Sequence, residues 1–141
     1  MIFRNSYIEK IKPFIDKPQV KVLTGIRRGG KSTVLAMLKD ELLSQNIAEE
    51  QIIMLNFESF STEELTKPAK LYEFLQQKIT SNRRFYLLFD EIQEVENWEK
   101  IINSALVDFD CDIYITGSNR LFCAILFSGT IFAILNFWNV L

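Results

Sequence analysis

The chain has 141 residues, 48% of them apolar, and its 16 basic and 18 acidic residues leave a formal net charge of -2. That length and apolar content suit one domain with its own core and argue against two. The near-balance of charge gives no general basic surface for nucleic acid. No histidine occurs anywhere, which excludes histidine zinc sites, histidine general bases and Cys–His nucleophilic pairs within this chain.

The first residues, M-I-F-R-N-S-Y, lead into a charged, helix-like stretch instead of a long apolar run, so they do not read as a secretory signal, and a cytoplasmic location is expected. An amphipathic helix is predicted over 4–15, with Ile8, Ile11 and Ile15 on one side and Pro13 disturbing its end. An apolar strand over 20–24 follows Pro18. Residues 25–32 come directly after it, and a helix over 32–44 then carries Val34, Leu35, Leu38 and Leu42 as its core stripe. A second strand is predicted over 52–57, and the polar segment 58–68, ending in Pro68, reads as loop. Leu71, Phe74, Leu75 and Ile79 mark another helix. Arg83 and Arg84 precede a third strand, F-Y-L-L-F over 85–89. Trp98, Ile101, Ile102, Ala105, Leu106 and Phe109 recur at helical spacing, with Asn97 as the expected N-cap. The fourth strand spans 111–116 and runs into G-S-N-R.

Cys111 opens that strand and reads as a buried thiol; with Cys123 it makes no metal or disulfide pattern. Every charged residue lies in the first 120 positions, and residues 121–141 read LFCAILFSGTIFAILNFWNVL. Three readings of this tail compete: a membrane-spanning helix or anchor, a buried closing helix and strand, or a displaced, non-native end. Ser128, Gly129 and Thr130 interrupt the run, and Asn136 and Asn139 are unfavourable in lipid, which argues against spanning. Continuous apolar strands alternating with helices predict an α/β fold with a mostly parallel sheet covered on both faces. The expected partition is a core over 1–120 and an apolar tail over 121–141.

Residues 25–32, G-I-R-R-G-G-K-S, fill every fixed position of the P-loop pattern G-x-x-x-x-G-K-[ST]. Gly25, Gly29 and Gly30 allow the tight path on which backbone N–H groups surround phosphate oxygens. Lys31 reaches the outer phosphates, and the Ser32 hydroxyl meets Mg²⁺. Ile26, Arg27, Arg28 and Thr33 complete the stretch expected to touch nucleotide, though Arg27 and Arg28 fit a solvated or partner-facing role equally well. Strand, glycine loop and helix in succession give the motif its proper context. Asp90 and Glu91 end an apolar strand, at the edge where ligands of open parallel sheets bind. Asp90 is placed to hold a metal ion and Glu91 to orient an attacking water. Ser118 and Asn119, past the fourth strand, could bond both that water and the γ-phosphate. Gln93 could help position the acidic pair. Asn56 and Glu58 flank the end of the second strand, as supports of the pocket or simple turn residues. Trp98 reads as helix-to-sheet packing.

Taken together, G-I-R-R-G-G-K-S, N-F-E at 56–58, L-F-D-E-I-Q at 88–93, Trp98 and I-T-G-S-N at 115–119 resemble a prokaryotic AAA-type ATPase group that usually carries a C-terminal domain of unknown function, numbered 4143. The resemblance covers residues 1–119. It implies that Lys31 and Ser32 are Walker A residues, Asp90 and Glu91 Walker B residues, and Asn119 or Ser118 the sensor. It implies a three-layer P-loop fold of strand order 5-1-4-3-2. From Arg120 onward the chain departs from the family pattern. The segment L-F-S-G-T over 126–130 puts Thr130 where an arginine is usual, which leaves the fifth strand in question and suggests a truncated or altered end. The expected activity is Mg²⁺-dependent ATP hydrolysis. The alternatives are a nucleotide-binding regulatory module with little turnover, or a P-loop small-molecule kinase. No N-K-x-D motif for guanine is present. Self-association or a protein partner would fit an AAA-type site, with Arg83, Arg84 and Arg120 as candidate arginines.

Overall fold

A computed structural model describes residues 2–26, 30–118, 121, 125 and 132–137, with backbone alone for 2–5. In chain order the elements are α1 (Ile2–Ile11), β1 (Val20–Thr24), α2 (Gly30–Ser44), β2 (Ile52–Asn56), α3 (Pro68–Lys78), β3 (Phe85–Asp90), α4 (Trp98–Asp108), β4 (Cys111–Thr116) and β5 (Phe132–Asn136). The strands form one sheet in the order β2-β3-β4-β1-β5. Each pairing is parallel, so all C-terminal strand ends lie along the same edge. Counted from β5, the order is 5-1-4-3-2, with the phosphate-loop strand β1 beside β4.

Side-chain alternation splits the core into two layers. Leu87 and Phe89 of β3 and Ile113 and Ile115 of β4 face one layer, with Leu71 and Leu75 of α3 and Trp98, Ile102 and Ala105 of α4. Tyr86 and Leu88, together with Tyr114, face the other, against Ile11 of α1 and Val34, Leu35, Leu38 and Leu42 of α2. The central strands β3 and β4 are buried at all six positions. The edge strands mix buried, partly buried and exposed positions, with Met54 of β2 and Ile134 of β5 among the exposed hydrophobics.

Several expectations shift. The first helix ends at Ile11 and tightens into a 3-10 turn over Lys12–Phe14, with Pro13 inside that turn. The helix after the glycine loop starts at Gly30, two residues before the expected Ser32. The polar segment after β2 is not plain loop but a 3-10 helix over Phe60–Thr66, and Pro68 opens α3, where its missing N–H would be unpaired anyway. Asn97 precedes α4 in a left-handed conformation (φ 51°), and its side chain makes no capping hydrogen bond. Cys111 is a buried free thiol, pushed up to about 12 by burial; Cys123 lies outside the described residues.

The fifth strand, in question from sequence, is present. Phe132–Asn136 pairs with all of β1, from Val20 with Phe132 to Thr24 with Asn136. Trp98 packs edge-on against Phe132, ring centroids 6.1 Å apart, which fits its reading as a packing residue. Among the described residues no helix is long and apolar enough to cross a membrane. Residues 132–136 are a strand, so a single spanning helix over 121–141 is not what this segment forms.

Candidate functional site

The site is assembled at the C-terminal edge of the sheet. β1 ends at Thr24, and Gly25 follows with φ 72°, a left-handed turn that L side chains rarely adopt. Gly30 opens α2, and a Cβ there would come within 2.9 Å of Ile26 Cγ2. The first turn of α2 therefore packs tightly on the chain leaving β1. Lys31, Ser32 and Thr33 follow at the helix N-terminus, where free N–H groups and the helix dipole favour an anion. Thr33 is exposed on that turn. Arg27, Arg28 and Gly29 lie outside the described residues.

β3 delivers the acidic pair. Asp90 is the last strand residue and is buried. Glu91 takes φ 57°, ψ 52°, so the two neighbouring carboxylates diverge through a left-handed residue. Asp90 Oδ2 accepts from Ser32 Oγ, and its Oδ1 accepts from Thr116 Oγ1 at the end of β4. Thr116 Oγ1 also accepts from Glu91 N at 3.2 Å. Glu91 is gripped at both oxygens: Lys31 Nζ donates to Oε2 at 3.0 Å and Gln93 Nε2 to Oε1 at 2.7 Å. Lys31 Nζ donates as well to the Gly117 carbonyl at 3.2 Å. Burial by itself would raise the Glu91 carboxyl. The hydrogen bonds from Gln93 and Lys31 and the lysine's charge outweigh that effect and hold it below the ordinary glutamate range.

Ser118 N donates to Gln93 Oε1 at 3.2 Å. The Ser118 hydroxyl oxygen is buried with no hydrogen-bond partner among the described residues. Asn119 and Arg120 lie outside the described residues. A cavity of about 150 Å³ lies beside Ser32 and Asp90 and is lined also by Leu35, Met54, Leu55 and Asn56. Asn56 accepts from Glu58 N at 3.0 Å in an Asx turn, so Asn56 reaches the cavity while Glu58 sits exposed at the turn.

The chemistry of this donor set fits magnesium. One carboxylate and one hydroxyl, with no cluster of three or more acidic, cysteine or histidine ligands among the described residues, match a hard cation completed by water and substrate phosphates. Thr116 and Gly117 lie within the I-T-G-S-N stretch at 115–119, but no role of their own is legible from the sequence. Thr116 reads there as one more β-branched strand residue; its place beside the acidic pair is visible once β3 and β4 are known neighbours.

A family model described as an AAA domain matches residues 17–125. An uncharacterized protein of Haemophilus influenzae is 43% identical over 120 residues, covering 84% of this chain and 30% of that protein. The uncharacterized protein MJ1544 of Methanocaldococcus jannaschii is 37% identical over 106 residues, covering 72% of this chain and 21% of that protein. The chain thus spans less than a third of either relative's length. No solved structure matches significantly. Glycine loop, acidic strand end and family match coincide along one stretch of sequence, and the chain belongs to the AAA domain family, a nucleotide-binding, ATP-using class.

Proposed function

We propose that this chain is an ATPase core that binds Mg·ATP at the glycine loop and hydrolyses it to ADP and phosphate. The observation that carries the reading is the convergence of Lys31, Ser32, Asp90 and Glu91 from two strand ends onto one small volume. Backbone amides of 25–33 hold the phosphates, and Lys31 neutralises charge on the β- and γ-phosphates as it builds. Ser32 and Asp90 hold the metal. That ion, when bound, would supply stabilisation of negative charge on the phosphates. Glu91, kept ionised by its two donors, orients the attacking water and receives its proton. The Ser118 hydroxyl bonds the water or the γ-phosphate, with Asn119 sharing that role. Residues 1–120 supply this machinery, and the 121–141 segment closes the sheet through β5.

The Lys31–Glu91 ion pair favours a second reading, in which base and lysine hold each other and ATP acts mainly as a conformational ligand. Phosphate release separates the two. In the ATPase reading Glu91→Gln retains ATP binding and lowers kcat by about 10²–10⁴-fold. Lys31→Ala weakens ATP binding by roughly tenfold to a hundredfold, the worth of a charged hydrogen bond. Wild-type ATP affinity in Lys31→Ala would overturn the site. Tight ATP binding by the wild type with no phosphate release would establish the second reading.

A further inference from the structure

Gln93 is uncharged and enters the chemistry proposed above only as one of the two donors to Glu91, yet it sits at the junction of both halves of the site. Its Nε2 donates to Glu91 Oε1 at 2.7 Å, and its Oε1 accepts from Ser118 N at 3.2 Å. A backbone N–H can only donate, so the amide oxygen must face Ser118 and the NH₂ must face Glu91. The segment after β4 thus sets the orientation in which Gln93 meets the carboxylate. The fit is close. A Cβ on Gly117 would lie 2.3 Å from Gln93 Oε1, so the amide lies directly against the backbone of the strand end. The short turn that carries it, Ile92–Glu94, is anchored by Ile92 and Val95, each 1% exposed.

The other grip on Glu91 is of a different kind. Lys31 belongs to the phosphate loop, and bound phosphates compete for its ammonium. The neutral Gln93 amide carries no charge for the phosphates to draw away from Glu91. We propose that Gln93 is a positioning residue that holds Glu91 in place for water activation and couples the glutamate to the 117–118 segment, so that movement of that segment re-aims the carboxylate. This inference rests on Glu91 being the water-activating residue. Asparagine, one methylene shorter, cannot reach both partners. An ionised glutamate can still accept from Ser118 N but offers Glu91 no donor.

The test is a cycle of four proteins (wild type, Gln93→Ala, Glu91→Gln and the double variant), scored for ATP affinity and steady-state phosphate release. Gln93→Ala should lower kcat by about tenfold to a hundredfold, the effect of a misplaced catalytic group, with ATP affinity and KM within about twofold of wild type. In the Glu91→Gln background it should lower kcat no further, because both changes disable the same group. Faster hydrogen exchange at the Ser118 amide in Gln93→Ala should report the lost bond without recourse to turnover. Gln93→Glu, near-isosteric, repeats the test if the alanine variant fails to fold. Unchanged kcat in Gln93→Ala beside an inactive Glu91→Gln overturns the inference and leaves the ATPase reading standing. So does a further loss in the double variant. Full turnover in Glu91→Gln removes the base assignment and this inference with it.

Discussion

Thr116 carries more of the site than its single hydroxyl suggests. It donates to Asp90 Oδ1 and accepts from Glu91 N, tying both acidic residues to the neighbouring strand while being fully buried itself. Thr116→Val keeps the shape and removes both bonds. It should destabilise the fold by about 1–3 kcal/mol, the penalty for leaving buried polar groups unpaired, and should raise the Mg²⁺ concentration needed for ATP binding. Urea denaturation and a magnesium titration check the two parts. Lys31, Ser32, Asp90 and Glu91 were legible because a fixed motif and an acidic strand end announce themselves in one dimension. Thr116 was not, since a threonine at a strand end is ordinary until the adjacent strand is known.

Among the elements, β5 does most to explain how the phosphate loop is supported. It lies in register along β1, and Phe137 N donates to Thr24 O at 2.9 Å, one residue before Gly25. Leu135 and Phe137 are buried against the α1–α2 layer, and Phe137 also packs on Tyr7 with centroids 5.2 Å apart. Leu135→Ala should therefore destabilise the protein by about 2–5 kcal/mol, as for other buried leucines. Because β5 borders the loop strand, ATP affinity should fall with it; thermal melting with and without Mg·ATP measures both. In sequence this segment was ambiguous. An uncharged run has no polar face, so neither the period of a strand nor that of a helix stands out. The central elements were legible for the opposite reason: α2 and α4 each combine a buried stripe with charged positions, and β3 is a short apolar run closed by an acidic residue.

At the scale of the molecule the sheet has two polar ends. Opposite the phosphate loop, Lys21 of β1 and Asp112 of β4 form an ion pair with both side chains at 0% exposure. Burial draws the Lys21 ammonium below its usual range despite the hydrogen bond and charge of Asp112. Asp112 also accepts from Asp16 N at 2.8 Å and from Tyr114 OH, and Asp16 in turn accepts from Tyr86 OH at 2.8 Å and pairs with Arg84 at 2.9 Å. This network joins β1, β3, β4 and the turn before β1. Its two members should respond unequally to removal. Asp112→Ala leaves the buried Lys21 charge with only the Lys17 carbonyl and frees two further donors, and should cost about 3–5 kcal/mol. Lys21→Met leaves Asp112 with two donors and should cost less, about 1–3 kcal/mol. Chemical denaturation of both variants tests the asymmetry, and equal losses would contradict it.

Local pattern alone determined that this chain is an α/β phosphate-loop protein, because a loop motif, strand-length apolar runs and helical stripes are each written in residues close along the chain. Tertiary structure alone decided that Thr116 braces the acidic pair, that Gln93 spans Glu91 and Ser118, that the uncharged tail supplies an edge strand, and that Lys21 meets Asp112. Those facts depend on which strands become neighbours. Residues far apart in the chain meet only when the whole sheet forms, and no spacing within one segment encodes that meeting.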